Sequence, residues 1–87
     1  MRVVIVWREE SDYAREVRDW IRDFENRTGV AIESVNPDEP SGISLCKAYD
    51  VVQYPTILAL ANNGSMLQMW RGTPLTSIDS VAYYTTI

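Results

Sequence analysis

The chain has 87 residues, a net charge of −4 and no histidine; that allows one modest core and argues against a phosphate-binding surface, which needs clustered Lys and Arg, whereas here Arg15, Arg18, Arg22 and Arg27 interleave with Asp19, Asp23 and Glu25. Its one cysteine, Cys46, cannot form an internal disulfide, and without histidine there are neither the usual zinc ligands nor a base for a Ser–His or Cys–His nucleophile. The longest apolar run, Val3 to Trp7, is far short of the roughly 20 residues a membrane span needs, and it runs into Arg8, Glu9 and Glu10 with no small-residue cleavage site, so the expectation is one cytoplasmic domain over residues 1–87 with no membrane or nucleic-acid partner.

Arg2 to Trp7 (RVVIVW) is a continuous β-branched run, the pattern of a strand buried on both faces. Arg8 to Ser11 is a polar loop. Ser11 is placed as a helix N-cap, and Asp12 in the first turn suits the helix dipole. A helix is predicted from about Asp12 to Thr28, with Tyr13, Val17, Trp20, Ile21 and Phe24 at spacings of three and four forming one apolar stripe. On its polar face Arg15–Asp19 and Asp23–Arg27 are i,i+4 pairs, each worth roughly 0.2–0.5 kcal/mol. Gly29 is a natural stop.

Val30 to Val35 is predicted as a second strand, its lower apolar content suiting an edge. Asn36 to Gly42 is a loop, and Ile43 to Tyr49 a short helix with Leu45, Ala48 and Tyr49 facing inward. Tyr54-Pro55 opens a strand over Thr56–Ala61, Asn62-Asn63-Gly64 is a hairpin turn, and Ser65–Trp70 returns as the partner strand. Gly72 ends that strand. Pro74 is expected to start a final helix with Leu75, Ile78, Val81 and Ala82 inside. The order β-α-β-α-β-β-α, read as two parallel crossovers followed by a hairpin, predicts an α/β fold with a four-stranded mixed sheet flanked by helices.

Three features in this order resemble the thioredoxin and glutaredoxin superfamily. They are VVIVW followed by a polar loop and long helix, the segment YDVVQYPT (Tyr49 to Thr56), and the hairpin ILALANNGSMLQMWRG ending at Gly72. The resemblance is to a minimal, glutaredoxin-like version, because the extra amino-terminal strand and helix of full thioredoxins have no counterpart. It implies a cis peptide bond at Pro55. It also implies a groove between Ser11–Tyr13, Tyr54-Pro55 and Gly72, in which the backbone of Tyr54 would meet an extended peptide. Counting from Trp7, Ser11-Asp12-Tyr13-Ala14 falls where the family carries Cys-x-x-Cys. Ser11 stands for the nucleophile and Ala14 for the resolving cysteine, so the dithiol reaction, which needs an ionised thiol and a second thiol to release it, is not expected.

Each candidate also has a plainer reading. Ser11 reads better as a cap than as a ligand contact. The carboxylates of Glu9, Glu10 and Asp12 suit a solvated loop better than a metal site or a basic partner. Trp7, Tyr13, Tyr54 and Trp70 could line a groove, although Trp7 and Tyr13 suit packing. Cys46, with nothing to activate it, reads as a half-buried inert thiol. The expected function is a redox-inactive module binding a protein or peptide at Trp7, Ser11, Asp12, Tyr13, Tyr54, Pro55 and Gly72, with no catalytic residue, cofactor or metal. Two alternatives are thiol-dependent or glutathione-related chemistry at Cys46, and an oligomerisation role for the strand over residues 65–70, whose sequence SMLQMW is apolar apart from Ser65 and Gln68.

Overall fold

A computed structural model describes residues 1–85. The elements are β1 (Arg2–Val6), α1 (Ala14–Thr28), β2 (Glu33–Val35), α2 (Pro40–Tyr49), β3 (Thr56–Leu60), β4 (Met66–Arg71) and α3 (Ile78–Thr85). They build one four-stranded sheet in the order β2-β1-β3-β4. The two central strands are the most apolar, and β3 is buried at every position. In β1, Val3 and Ile5, followed by Trp7, join Val17, Trp20, Phe24 and Val81 in one layer, while Val4 and Val6 join Cys46, Val51, Leu58 and Leu60 in the other. The alternation of a strand thus divides one apolar run between two cores. α1 and α3 cover the first face and α2 the second.

β1 and β2 are parallel, as expected of the first crossover. The second is not parallel: β3 runs antiparallel to β1, with Thr56 opposite Val6 and Leu60 opposite Arg2. The cause lies in α2. Pro37, before α2, and Tyr54, after it, line the same cleft. The connection therefore begins and ends at one end of the sheet, and the next strand can only run back.

α1 buries Ala14, Val17, Trp20 and Phe24, with Tyr13 and Ile21 packed at the margin. Trp20 stacks on Phe24 at 5.1 Å between ring centres, and its indole N–H donates to the Thr76 carbonyl at 2.8 Å. Gly29 ends the helix in the left-handed conformation, φ 72°, its N–H donating to the Glu25 carbonyl. Ser11 is not the N-cap. That position falls to Tyr13 without a side-chain bond, and the Ser11 hydroxyl donates instead to the Arg8 carbonyl at 2.6 Å. A serine hydroxyl can accept from the N–H groups that open a helix or donate to a nearby carbonyl, and here it donates to the upstream carbonyl. The expected pairs of α1 are replaced as well. Arg22 sits between Asp19 and Asp23, and Arg27 reaches Asp79 of α3 at 3.1 Å because α3 packs alongside.

β2 is shorter than its sequence run, and Val30 and Ile32 pack against the first core from outside it. α2 starts earlier than expected, with Pro40 in its first turn. Its inner side is Gly42 and Cys46, with Leu45 and Tyr49 beside them, while Ala48 is exposed. The missing Cβ of Gly42 sets that rotation by letting α2 lie against the backbone of Asn36 and Pro37. The β3–β4 hairpin turns at Asn62–Gly64, where Gly64 has φ 90°, and a bulge puts Leu67 outside the pairing, Ala59 opposing Gln68 and Leu60 opposing Met66. Trp70 packs toward the first core and meets Tyr84 edge-on, and Met69 packs toward the second. Pro74 does not start α3; it follows a cis bond, and the helix begins after Ser77, whose hydroxyl accepts the Ser80 N–H at 3.2 Å. Among the described residues no helix is long and apolar enough to cross a membrane.

Candidate functional site

The carboxyl end of β1, the loop into α1 and the segment before β3 meet at one end of the sheet, because β1 and β3 pair there through Val6 and Thr56. Trp7 is buried, its N–H donating to the Val35 carbonyl at 3.0 Å and the Arg18 guanidinium lying over its ring at 5.6 Å. It therefore belongs to the core more than to an open groove, though one edge lines a cleft with Glu9, Asn36 and Glu39. The next residues form a closed turn. The Arg8 N–H donates to the Tyr13 hydroxyl at 3.1 Å, the Ser11 hydroxyl donates to the Arg8 carbonyl, and the Ala14 N–H donates to the Ser11 carbonyl at 3.3 Å. Ser11 is half-buried and Asp12 exposed.

Pro55 is buried and follows a cis bond from Tyr54. Its carbonyl accepts the Gly72 N–H at 2.7 Å, which ties the end of β4 to this corner. Gly72 has φ 74°, a left-handed conformation that favours glycine. The Thr56 hydroxyl donates to the Gln53 carbonyl at 2.5 Å and holds the approach to the proline. Between these anchors, the Tyr54 N–H and carbonyl take no backbone partner among the described residues, since the pairing of β3 with β1 stops at Thr56.

The predicted residues are thus joined in two groups, Ser11 with Tyr13 and Pro55 with Gly72. The residue that connects them is Arg8, which sequence reasoning placed only in a polar loop. Its guanidinium donates twice to the Asp38 carboxylate, at 2.9 and 3.1 Å, and lies 4.9 Å from the centre of the Tyr54 ring. One side chain so links the β1–α1 loop, the β2–α2 loop and Tyr54. The hydrogen bond from Arg8 holds the Asp38 carboxyl below the usual carboxylate range, and Asp38 in turn raises Arg8. The signal available in the sequence was slight: Arg8 is the one cation in Arg8–Tyr13, and Asp38 lies between two prolines.

Tyr54 also faces the second core. Its hydroxyl is 4.0 Å from the Cys46 sulfur, and burial first, then this contact, push its phenol up. Cys46 is buried on α2 and belongs to the layer opposite α1. Among the described residues no group of three or more His, Cys, Asp or Glu is placed to hold a metal ion.

No family model and no curated protein matches the sequence. Among solved structures the chain is similar to thioredoxin 1 from the thermophilic eubacterium Thermosipho africanus TCF52B, with a TM-score of 0.71 at 15% identity over 99% of this chain and 91% of that one. It is also similar to a malarial protein, with a TM-score of 0.68 at 18% identity over 97% of this chain and 91% of that one. Such identities speak for architecture: the chain has an α/β, thioredoxin-like fold.

Proposed function

We propose that this thioredoxin-like chain is a redox-inactive module that receives an extended peptide segment of a partner protein in the groove between the Ser11–Ala14 turn, Tyr54-Pro55 and Gly72. The observation that carries the reading is the backbone of Tyr54, which has no backbone partner among the described residues although the segments on both sides of it are tied down. An extended peptide can complete such a group by strand-like pairing. The loss of dithiol chemistry is supported by the residues at the start of α1. The Ser11 hydroxyl is committed to the Arg8 carbonyl, Ala14 has no reactive atom, and the sole thiol lies under α2. A serine hydroxyl with no neighbouring base is not a nucleophile near neutral pH.

The test is selection of displayed random peptides on the immobilised protein, followed by titration of a selected peptide into 15N-labelled protein. The reading expects amide shifts concentrated at Tyr54, Thr56, Gly72 and Ser11–Ala14, and weaker binding by Pro55→Ala. Shifts confined to another face of the sheet would overturn it.

A further inference from the structure

The carboxylates of this chain divide by place. Arg22 lies between Asp19 and Asp23, Arg2 holds Glu33, Arg8 holds Asp38, and Arg27 holds Asp79. Glu16 and Glu25 accept the backbone N–H groups of Leu75 and Ile32. Among the described residues the remaining side-chain carboxylates, Glu9, Glu10, Asp12, Glu39 and Asp50, have neither a cation nor an N–H partner. All of them lie around Tyr54. Glu9 and Glu39 line a cleft beside Trp7, and Glu9 and Glu10 line another with Arg8. Asp12 sits in the Ser11–Ala14 turn, and Asp50 lines a third cleft with Tyr54 itself. The cations lining these clefts are Arg8, which Asp38 already holds, and Lys47 beside Asp50, while Arg18 lies over the Trp7 ring. The excess there is negative. The Tyr54 cleft also has an apolar wall: Ile43 and Val52, exposed at 43% and 78%, stand in it with Val51.

We infer that the segment taken up at Tyr54 is both basic and apolar. One large apolar side chain enters the cleft of Ile43, Val52 and Tyr54, and neighbouring Lys or Arg side chains lie against Glu9, Glu10 and Glu39. The inference rests on the groove proposed above and names the chemistry of its occupant. A strand that pairs with the Tyr54 backbone turns successive side chains to opposite faces, so every second one is available to the cleft that the Tyr54 side chain lines. Strand addition draws affinity from the main chain and specificity from pockets for such alternate side chains. An apolar side chain in the cleft takes Ile43 and Val52 out of water. Charge then selects among apolar segments. An acidic one would bring like charge to the unpartnered carboxylates, and a basic one supplies what they lack. The carboxylates elsewhere are already satisfied, so the preference belongs to this end of the molecule.

The test selects displayed random peptides in parallel on wild type and on variants, and compares the selected sequences with the starting library. Wild type should enrich Lys and Arg together with large apolar residues. Glu9→Gln, Glu10→Gln and Glu39→Gln combined should lose the basic enrichment and keep the apolar one. Asp19→Asn, Asp23→Asn and Asp79→Asn combined make the same change in net charge at exposed pairs that add little stability, and should keep both. Val52→Ser should weaken the apolar enrichment alone. A peptide selected on wild type, with its Lys and Arg changed to Gln, should bind about tenfold more weakly at low ionic strength, and the gap should close near 1 M salt, where the Debye length is about 3 Å. Selected peptides that shift the Tyr54 and Gly72 amides without being basic and apolar overturn this inference and leave the groove standing. So does basic enrichment that survives in the glutamine variant or vanishes in the asparagine one. Selected peptides that shift another face, or a selection that returns none, overturn the groove and this inference with it.

Discussion

Replacing Gly42 by alanine sets two effects against each other, and the structure decides the sign. Gly42 lies inside α2, where alanine is favoured over glycine by about 1 kcal/mol of helix propensity. A Cβ at this position, however, would overlap the Asn36 carbonyl oxygen and lie 2.7 Å from its carbon and 3.0 Å from the Pro37 Cα. All three are backbone atoms and cannot rotate away, so α2 or the β2–α2 loop must shift. Forced backbone shifts cost about 1–3 kcal/mol and occasionally more; the fixed identity of the clashing atoms puts this case at the upper end. The expected net loss is about 2 kcal/mol, a fall in Tm of roughly 8–16 °C for a domain of this size. The displacement should reach the site as well, since the same loop carries Asp38, which holds Arg8 over Tyr54. Thermal unfolding followed by circular dichroism measures the first effect, and the Tyr54 ring proton shifts report the second. An unchanged or raised Tm for Gly42→Ala would refute the close packing of α2 on the loop.

Two further outcomes follow from the same geometry. Arg8 and Arg2 hold the Asp38 and Glu33 carboxyls below their ordinary range, so the unfolded chain binds these protons more readily; the stability the pairs add is complete above the unfolded carboxylate value of about 4 and is lost as pH falls through the lower folded values. The Tm of Asp38→Asn should therefore lie below wild type near neutral pH and converge with it as the pH falls below the lowered folded value of Asp38, and a gap that persists once that carboxyl is protonated would assign the loss to something other than the carboxylate. Cys46 is 9% exposed, so a thiol reagent such as DTNB should label the native protein far more slowly than the urea-unfolded chain, at a rate limited by opening of α2; equal rates would contradict its place in the second core.

Much of the architecture was legible because periodicity reports burial directly. The run Val3 to Trp7 announced a strand with two buried faces, and the stripe Val17, Trp20, Phe24 announced which side of α1 meets the sheet. Gly29, Gly64 and Gly72 marked turns that do carry positive φ. The direction of β3 was not legible, since it depends on where the connection through α2 returns and not on any local pattern. Side-chain partners were the weakest part of the reading. The spacing pairs Arg27 with Asp23, one turn earlier, and only the packing of α3 on α1 selects Asp79 instead. Ser11 had helix N–H donors downstream and the Arg8 carbonyl upstream within local reach, and its hydroxyl donates to the carbonyl. At the candidate site the sequence supplied Tyr54, Pro55 and Gly72 through resemblance, but the bond that joins the two halves runs from Arg8 to Asp38, 30 positions away. A long-range ion pair of this kind leaves no periodic trace.

The central proposal is that this scaffold lacks the dithiol reaction. Insulin reduction driven by dithiothreitol, followed by turbidity, tests it beside the double substitution Ser11→Cys and Ala14→Cys. Wild type should match the rate with dithiothreitol alone, and the double variant should exceed it, because its new thiols sit at the start of α1. Wild-type protein that accelerates the reaction, with the acceleration lost on Cys46→Ser, would contradict the account and place the chemistry at Cys46.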